Sequence, residues 1–167
     1  MRIENEGQIA AIELPGEWRE RPVQQQPMHL KQMRSFHRVD NANVQVRFVY
    51  RGHAESDAVG REFQRYLHGA ARPLDRADIN SLAPVIGDLA RPEEFSITTA
   101  QPMDLGERRV LWVEGRWVDS PYWSGNVFID ADGTGCVIQQ VECFAELASY
   151  DAEAPVFQRI LRSIRWK

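Results

Sequence analysis

The chain predicts an α+β domain, an antiparallel β-sheet flanked by helices. Three observations lead there. From Glu107 onward the residues form long strand-like runs, ERRVLWVEGRWV and then YWSGNVFIDADGTGCVIQQVECFA, joined by short turn sequences. The last run, APVFQRILRSIRWK, carries Phe157, Ile160, Leu161 and Ile164 at i, i+3, i+4, i+7, one apolar stripe of a helix. Strands elsewhere are clustered instead of alternating with helices, which implies hairpins and an antiparallel sheet. The predicted order is β-β-β-α-α-β-β-β-β-α, in a single α+β domain over residues 1–167.

Each element has its own local reason. Ile9 to Leu14 is a short apolar strand closed by Pro15 and Gly16, since proline has no ladder donor and glycine accepts positive φ. Trp18 follows as a plug at the core edge. Glu20 to Gln32, with Pro22, Pro27 and three glutamines, has neither period and reads as a loop. Arg34–Val39 and Val44–Tyr50 flank DNAN and form a hairpin, with Val44, Val46, Phe48 and Tyr50 on one face and Gln45 and Arg47 on the other.

Ser56 and Asp57 can cap a helix in which Val59, Phe63 and Leu67 repeat, with Gly69 at the expected left-handed end. Asp75 starts a second helical pattern through Ile79, Leu82, Ile86 and Leu89. Pro84 removes a donor inside it, so a kink or two short helices are expected. Glu94–Thr99 returns to strand chemistry, and PMDLGE turns the chain into its C-terminal strands, connected by DSPY and DADGTG. In the final helix Asp151 and Glu153 lie near the start and Arg159, Arg162, Arg165 and Lys167 near the end, as the helix dipole favours.

Composition narrows the function classes. With 43% apolar and 26% charged residues the chain is ordinary globular material, and its net charge of -4 disfavours nucleic acid or an anionic membrane as partner. MRIENEGQ has charges and no apolar run, unlike a secretory signal, and no stretch reaches the ~18 apolar residues of a membrane span. Cys136 and Cys143 lie on one predicted strand at a spacing that points them to opposite faces, so they should not pair. Unpaired thiols fit a reducing compartment, and a cytoplasmic location is expected.

Several units of this sequence share a layout with one known fold family. They are the early IELPGEW strand, turn and tryptophan, the EFSIT strand, the VFID hairpin, and the terminal FQRILRSIRWK. Over nearly the whole chain the pattern resembles the PsbP-like fold family. That family includes the extrinsic oxygen-evolving protein of photosystem II, a Ran-binding nuclear-import factor of fungi, and bacterial chaperones associated with Rhs secretion effectors. The matching positions are structural and carry no catalytic signature. The resemblance implies a non-enzymatic domain that binds a protein partner through its sheet or loops.

DADGTG at 130–135 resembles part of a calcium loop, but the remaining ligands are missing and Asp-Gly between apolar runs reads as a hairpin turn. His53, Glu55 and Asp57 match no metal-site spacing and read as a turn leading into a capped helix. The cysteines could pair with a histidine as a thiolate nucleophile, yet their apolar neighbours favour burial. No G-x-S-x-G, P-loop or dinucleotide-binding glycine pattern is present. No metal, cofactor or catalytic residue is expected.

The aromatic cluster Trp112, Trp117, Tyr122, Trp123 and Phe128 leaves two readings open. Helices and loops cover both sheet faces, or one face stays partly open and is lined by Trp112, Arg116, Gln140, Glu142 and Arg47, the Trp-and-Arg chemistry of interface hot spots. The preferred function is a protein-binding or accessory module, chaperone- or adaptor-like, using that face or the segment 20–33. A small-molecule or lipid-binding protein with a pocket between sheet and helices is the alternative, and an enzyme is third. The expected partner is a protein, which can include a second copy of the chain.

Overall fold

The computed structural model describes residues 1–22, 32–53 and 56–167. In chain order the elements are β1 (Arg2–Glu6), β2 (Ile9–Glu13), β3 (Trp18–Arg21), β4 (Gln32–Arg38), β5 (Gln45–His53), α1 (Asp57–His68), α2 (Arg76–Ser81), α3 (Ala83–Ile86), β6 (Phe95–Leu105), β7 (Arg108–Trp117), β8 (Tyr122–Asp130), β9 (Val137–Glu146), α4 (Tyr150–Arg162) and β10 (Arg165–Trp166). A seven-stranded sheet runs β3-β4-β5-β9-β8-β7-β6, and a three-stranded sheet runs β1-β2-β10. Every pairing is antiparallel.

The period-2 alternation of the long strands divides the core in two. Val110 on β7, Val127 and Ile129 on β8, and Val141 and Cys143 on β9 point to one face and pack with Phe157, Ile160 and Leu161 of α4 and with the small sheet. Leu111, Val113, Phe128 and Ile138 point to the other face and pack with Phe63, Leu67, Val85 and Ile86 of α1 to α3. Phe157 and Phe63 are both buried to 1% exposure or less. Burial of each contributes ~2–3 kcal/mol, enough to dock its helix on the sheet.

The helix expectations hold except at three ends: the Gly69 end of α1 and both ends of α4, which stops at Arg162 and leaves Arg165 in β10 and Lys167 after it. Ser56 caps α1 through its side chain, accepting from Val59 N. Gly69 is extended, with φ -74°, so the helix ends without a left-handed residue. Pro84 divides the second helical pattern into α2 and α3, and Asp75 closes a capping box with Asp78. α4 starts earlier than its apolar stripe, at Tyr150, and runs through Pro155. Buried Glu153 anchors that first stretch through an ion pair with Arg38 at 2.6 Å.

Three strands had no sequence signal. β1 has only Ile3 as a buried apolar residue, so its alternation is invisible in RIENE. It is held by the buried Gln139 side chain, whose Nε2 donates to Glu6 O at 2.8 Å and whose Oε1 accepts from Gln8 N at 2.8 Å. β3 begins at Trp18, whose indole donates to Pro15 O, and it continues into what read as loop. β10 is two residues long and places Trp166 Nε1 on Leu105 O at 2.7 Å. Of the segment 20–33, Glu20 and Arg21 close β3 and Gln32 and Met33 open β4. Residues 23–31 lie outside the described residues.

Candidate binding cleft

Strand pairing decides which of the candidate residues share a face, because residues directly opposite in adjacent strands point the same way. Trp112 pairs with Val127, Val127 with Val141, and Val141 with Phe48, all on the α4 face. Arg116 is four residues along β7 and joins Trp112 there. Arg47 pairs with Glu142 and Glu142 with Asn126, while Gln140 pairs with Phe128, all on the opposite face. The five residues therefore do not line one surface. Their parity within each strand was readable, but the relative register of β7 and β9, set through β8, was not.

The Arg47 side is closed by its own contacts. Arg47 Nη1 meets Glu142 Oε2 at 3.2 Å, Arg47 Nη2 donates to Gln45 Oε1 at 3.1 Å, and the guanidinium lies 4.8 Å from the Phe144 ring centre. Phe144 stacks on Tyr122 at 4.6 Å. Gln140 Nε2 donates to Asn126 Oδ1 at 2.8 Å, and Asn126 Nδ2 to Ser124 Oγ at 2.6 Å. Buried polar groups that satisfy one another in this way hold a sheet together. Farther along the same face, burial, with Arg21 and Arg19 adding to it, holds the His37 imidazole below its usual range.

The α4 side is different. Trp112, Glu114 and Arg116 follow at period 2 along β7, half-buried, half-buried and exposed. Glu114 is the hub: Oε2 accepts from Trp112 Nε1 at 3.1 Å, and Oε1 accepts from Trp123 Nε1 at 3.1 Å and from the Tyr150 hydroxyl at 2.6 Å. The Glu114 carboxylate, aided by burial, pushes the Tyr150 phenol up to about 12. Trp123 stacks on Phe157 at 5.5 Å and tilts against Tyr150 at 5.1 Å, which joins the hub to the first residue and the middle of α4.

Gly125 makes room for this arrangement. It sits opposite Glu114 on β8, and a Cβ there would stand 2.9 Å from Trp123 Cη2 and closer still to Trp112 Cη2. On the other side, a bulge in β6 between Ile97 and Thr99 turns both Thr98 and Thr99 toward Glu114. Thr98 Oγ1 donates to Glu114 O at 3.1 Å.

Two hollows open on either side of the hub, between β6–β7 and α4, and share Thr99 and Glu114. One, about 320 Å³, is lined by Gln101, Met103, Trp112, Leu161 and Arg162. The other, about 300 Å³, is lined by Thr98, Arg116, Trp123, Leu147 and Tyr150. A wider hollow of about 440 Å³ beside Met1, Pro15 and Arg159 has no aromatic ring in its described lining. Glu114, Tyr150 and Arg162 were not picked out from sequence. A carboxylate two residues from both a tryptophan and an arginine on one strand is the signal that was available.

The other candidates are structural. Asp130 Oδ1 accepts from Gly133 N and Gly135 N, each at 3.0 Å, and Gln64 Nε2 donates to Oδ2, while Asp132 Oδ1 accepts from the Thr134 hydroxyl at 2.7 Å. The DADGTG carboxylates are thus spent on their own turn. Cys143 lies in the core and burial pushes its thiol up, and Cys136 packs against Ser56 O and Gly60 across the sheet from it. Asp57 opens α1, whereas Glu55 and the His53 side chain lie outside the described residues. No group of three His, Cys, Asp or Glu that could hold a metal ion occurs among the described residues. No described helix is long and apolar enough to cross a membrane.

An antiparallel sheet with helices on both faces and a terminal helix beside a long β6–β7 hairpin defines a PsbP-like α+β fold. Among solved structures, the solution structure of cyanobacterial PsbP (CyanoP) from Synechocystis sp. PCC 6803 superposes with a TM-score of 0.63 over 100% of this chain and 92% of that one, at 9% sequence identity. No protein-family model and no curated protein matches the chain.

Proposed function

We propose that the chain is a non-enzymatic accessory module that binds a segment of a protein partner in the cleft between β6–β7 and α4. The observation that carries this reading is the pair of adjoining hollows around Trp112 and Glu114, with a half-buried tryptophan in one and an exposed arginine in the other. Tryptophan and arginine anchored beside apolar side chains are the chemistry of interface hot spots. The cleft is poorly equipped for proton transfer, since the hydroxyl bonded to Glu114 is Tyr150 and its proton is held more tightly than in an ordinary phenol.

A small-molecule ligand is the second reading. Each hollow alone is at the bottom of the ~300–1,000 Å³ range of ligand pockets. Both are open and they adjoin, which favours a segment that spans the two.

The test compares wild type with Thr99→Tyr, which fills the cleft at its shared residue, and with Trp112→Ala. Thermal unfolding establishes that each variant is folded. A partner captured in stoichiometric amount by wild type and lost from Thr99→Tyr supports the reading. Equal capture of the same partner by folded Thr99→Tyr and Trp112→Ala overturns it.

A further inference from the structure

The charges that line the cleft have no partner of opposite sign among the described residues. Among the described residues each buried carboxylate has an arginine: Glu6 with Arg34 at 2.7 Å, Asp78 with Arg72 at 2.7 Å, Glu142 with Arg47 at 3.2 Å and Glu153 with Arg38 at 2.6 Å. That is what burial of a charge demands. Glu114 is held by two indoles and a phenol, all uncharged, and no Lys, Arg or His nitrogen among the described residues lies within 4.0 Å of it. Arg116 and Arg162 line the two hollows, are exposed, and have no carboxylate within 4.0 Å among the described residues.

The spacing of these charges is also ordered. Glu114 and Arg116 share a face of β7 two residues apart, about 6.8 Å at the rise of an antiparallel strand. An extended segment lying along β7 presents every second side chain downward at the same interval. Oε2 of Glu114 accepts a single bond, leaving a lone pair for a further donor, and the Trp112 ring beside it supplies a surface on which a cation is attracted.

We propose that the cleft recognises an extended protein segment carrying a lysine or arginine with an aspartate or glutamate two positions away. The basic side chain meets Glu114 beside Trp112, and the acidic one meets Arg116. An apolar side chain beyond the basic one, on the side away from the acidic one, lies against Met103, Leu105 and Leu161. This inference rests on the binding-module reading and adds the charge rule to it.

The test uses the full chain, ¹⁵N-labelled, with two probes: acetyl-Leu-Lys-Leu-Asp-Leu-amide and the same peptide with norleucine for lysine, which keeps the carbon chain and removes the charge. The Nε1–H resonances of Trp112 and Trp123 report directly, since both donate to Glu114. The lysine peptide is expected to shift both and to bind about tenfold more tightly than the norleucine peptide, a preference that added salt erodes. In Glu114→Gln the two peptides should bind alike.

Equal binding of both peptides to wild type, at any salt, sinks the charge rule while leaving the cleft as a binding site. A lysine preference that persists in folded Glu114→Gln sinks it as well. If neither peptide moves the indole resonances and folded Thr99→Tyr still captures the partner, the inference falls together with the reading beneath it.

Discussion

The Tyr150 hydroxyl donates to Glu114 Oε1 at 2.6 Å, so the first residue of α4 is tied to the middle of β7. That bond fixes how the helix start sits over the cleft, while Phe157, Ile160 and Leu161 hold the rest of the helix by burial.

Tyr150→Phe removes this one donor and leaves both indoles on Glu114. At a half-buried site the expected loss is about 1 kcal/mol, or about 2–4 °C in Tm, by thermal or urea unfolding. The effect has a pH signature. The folded phenol titrates at about 12 against an ordinary value near 10, so its contribution is present below pH ~10 and is lost as pH rises through 12. Wild type should lose stability across that window, and Tyr150→Phe should lose less there. An unchanged alkaline slope in the variant would show that the bond is not formed.

Asp78 gives the opposite dependence. It accepts from Arg72 Nη1 at 2.7 Å, from the Tyr66 hydroxyl at 2.8 Å and from Asp75 N at 3.0 Å, and the Arg72 hydrogen bond holds its carboxyl far below the usual range. A depressed folded pKa means stability that is complete above the ordinary carboxylate value near 4 and is lost as pH falls below it. Asp78→Ala should cost about 3 kcal/mol at pH 7, because Tyr66 and the Asp75 amide lose their acceptor. Exposed Arg72→Met should cost less than Asp78→Ala and move the acid midpoint upward. Both are read from urea curves at several pH values.

Gly125→Ala tests the packing of the hub. The added methyl has no flexible tip to push against, since the opposing atoms are the far edges of Trp112 and Trp123 rings. Overpacking of this kind costs about 1–3 kcal/mol. The Trp112 indole should be displaced from Glu114 Oε2, which tryptophan Nε1–H chemical shifts would register. An alanine variant with wild-type shifts and stability contradicts this geometry.

The fold was legible where one residue per strand turn or helix turn is apolar, and the cleft was legible only in fragments. Phe157, Ile160 and Leu161 declare α4, and Val46 and Phe48 declare β5, because burial on one face leaves a period. β1 left no period: its second buried residue is Glu6, kept inside by Arg34, which sits 28 residues away. Trp112 and Arg116 were correctly read as sharing a face. Gln140, Glu142 and Arg47 fall on the other face, because parity within a strand says nothing about parity between strands until the register is known. Glu114 and Tyr150, 36 residues apart, become partners only when α4 docks.

The two sheet faces make a last prediction that separates stability from binding. Arg47 is the cation for Glu142, a buried carboxylate, so Arg47→Met leaves that charge without a partner. Because Arg47 is about a third exposed, the cost falls short of the ~3–5 kcal/mol of a dry pair, and about 2 kcal/mol is expected. Adding Glu142→Gln to it should restore part of the loss, since the stranded charge is gone. Neither variant touches the α4 face, where Trp112, Glu114 and Arg116 point. Both should therefore keep the affinity of wild type for the lysine peptide while unfolding at lower urea. A loss of peptide affinity in folded Arg47→Met comparable to that in Glu114→Gln would mean that the two faces act as one site, contrary to the register of β7, β8 and β9.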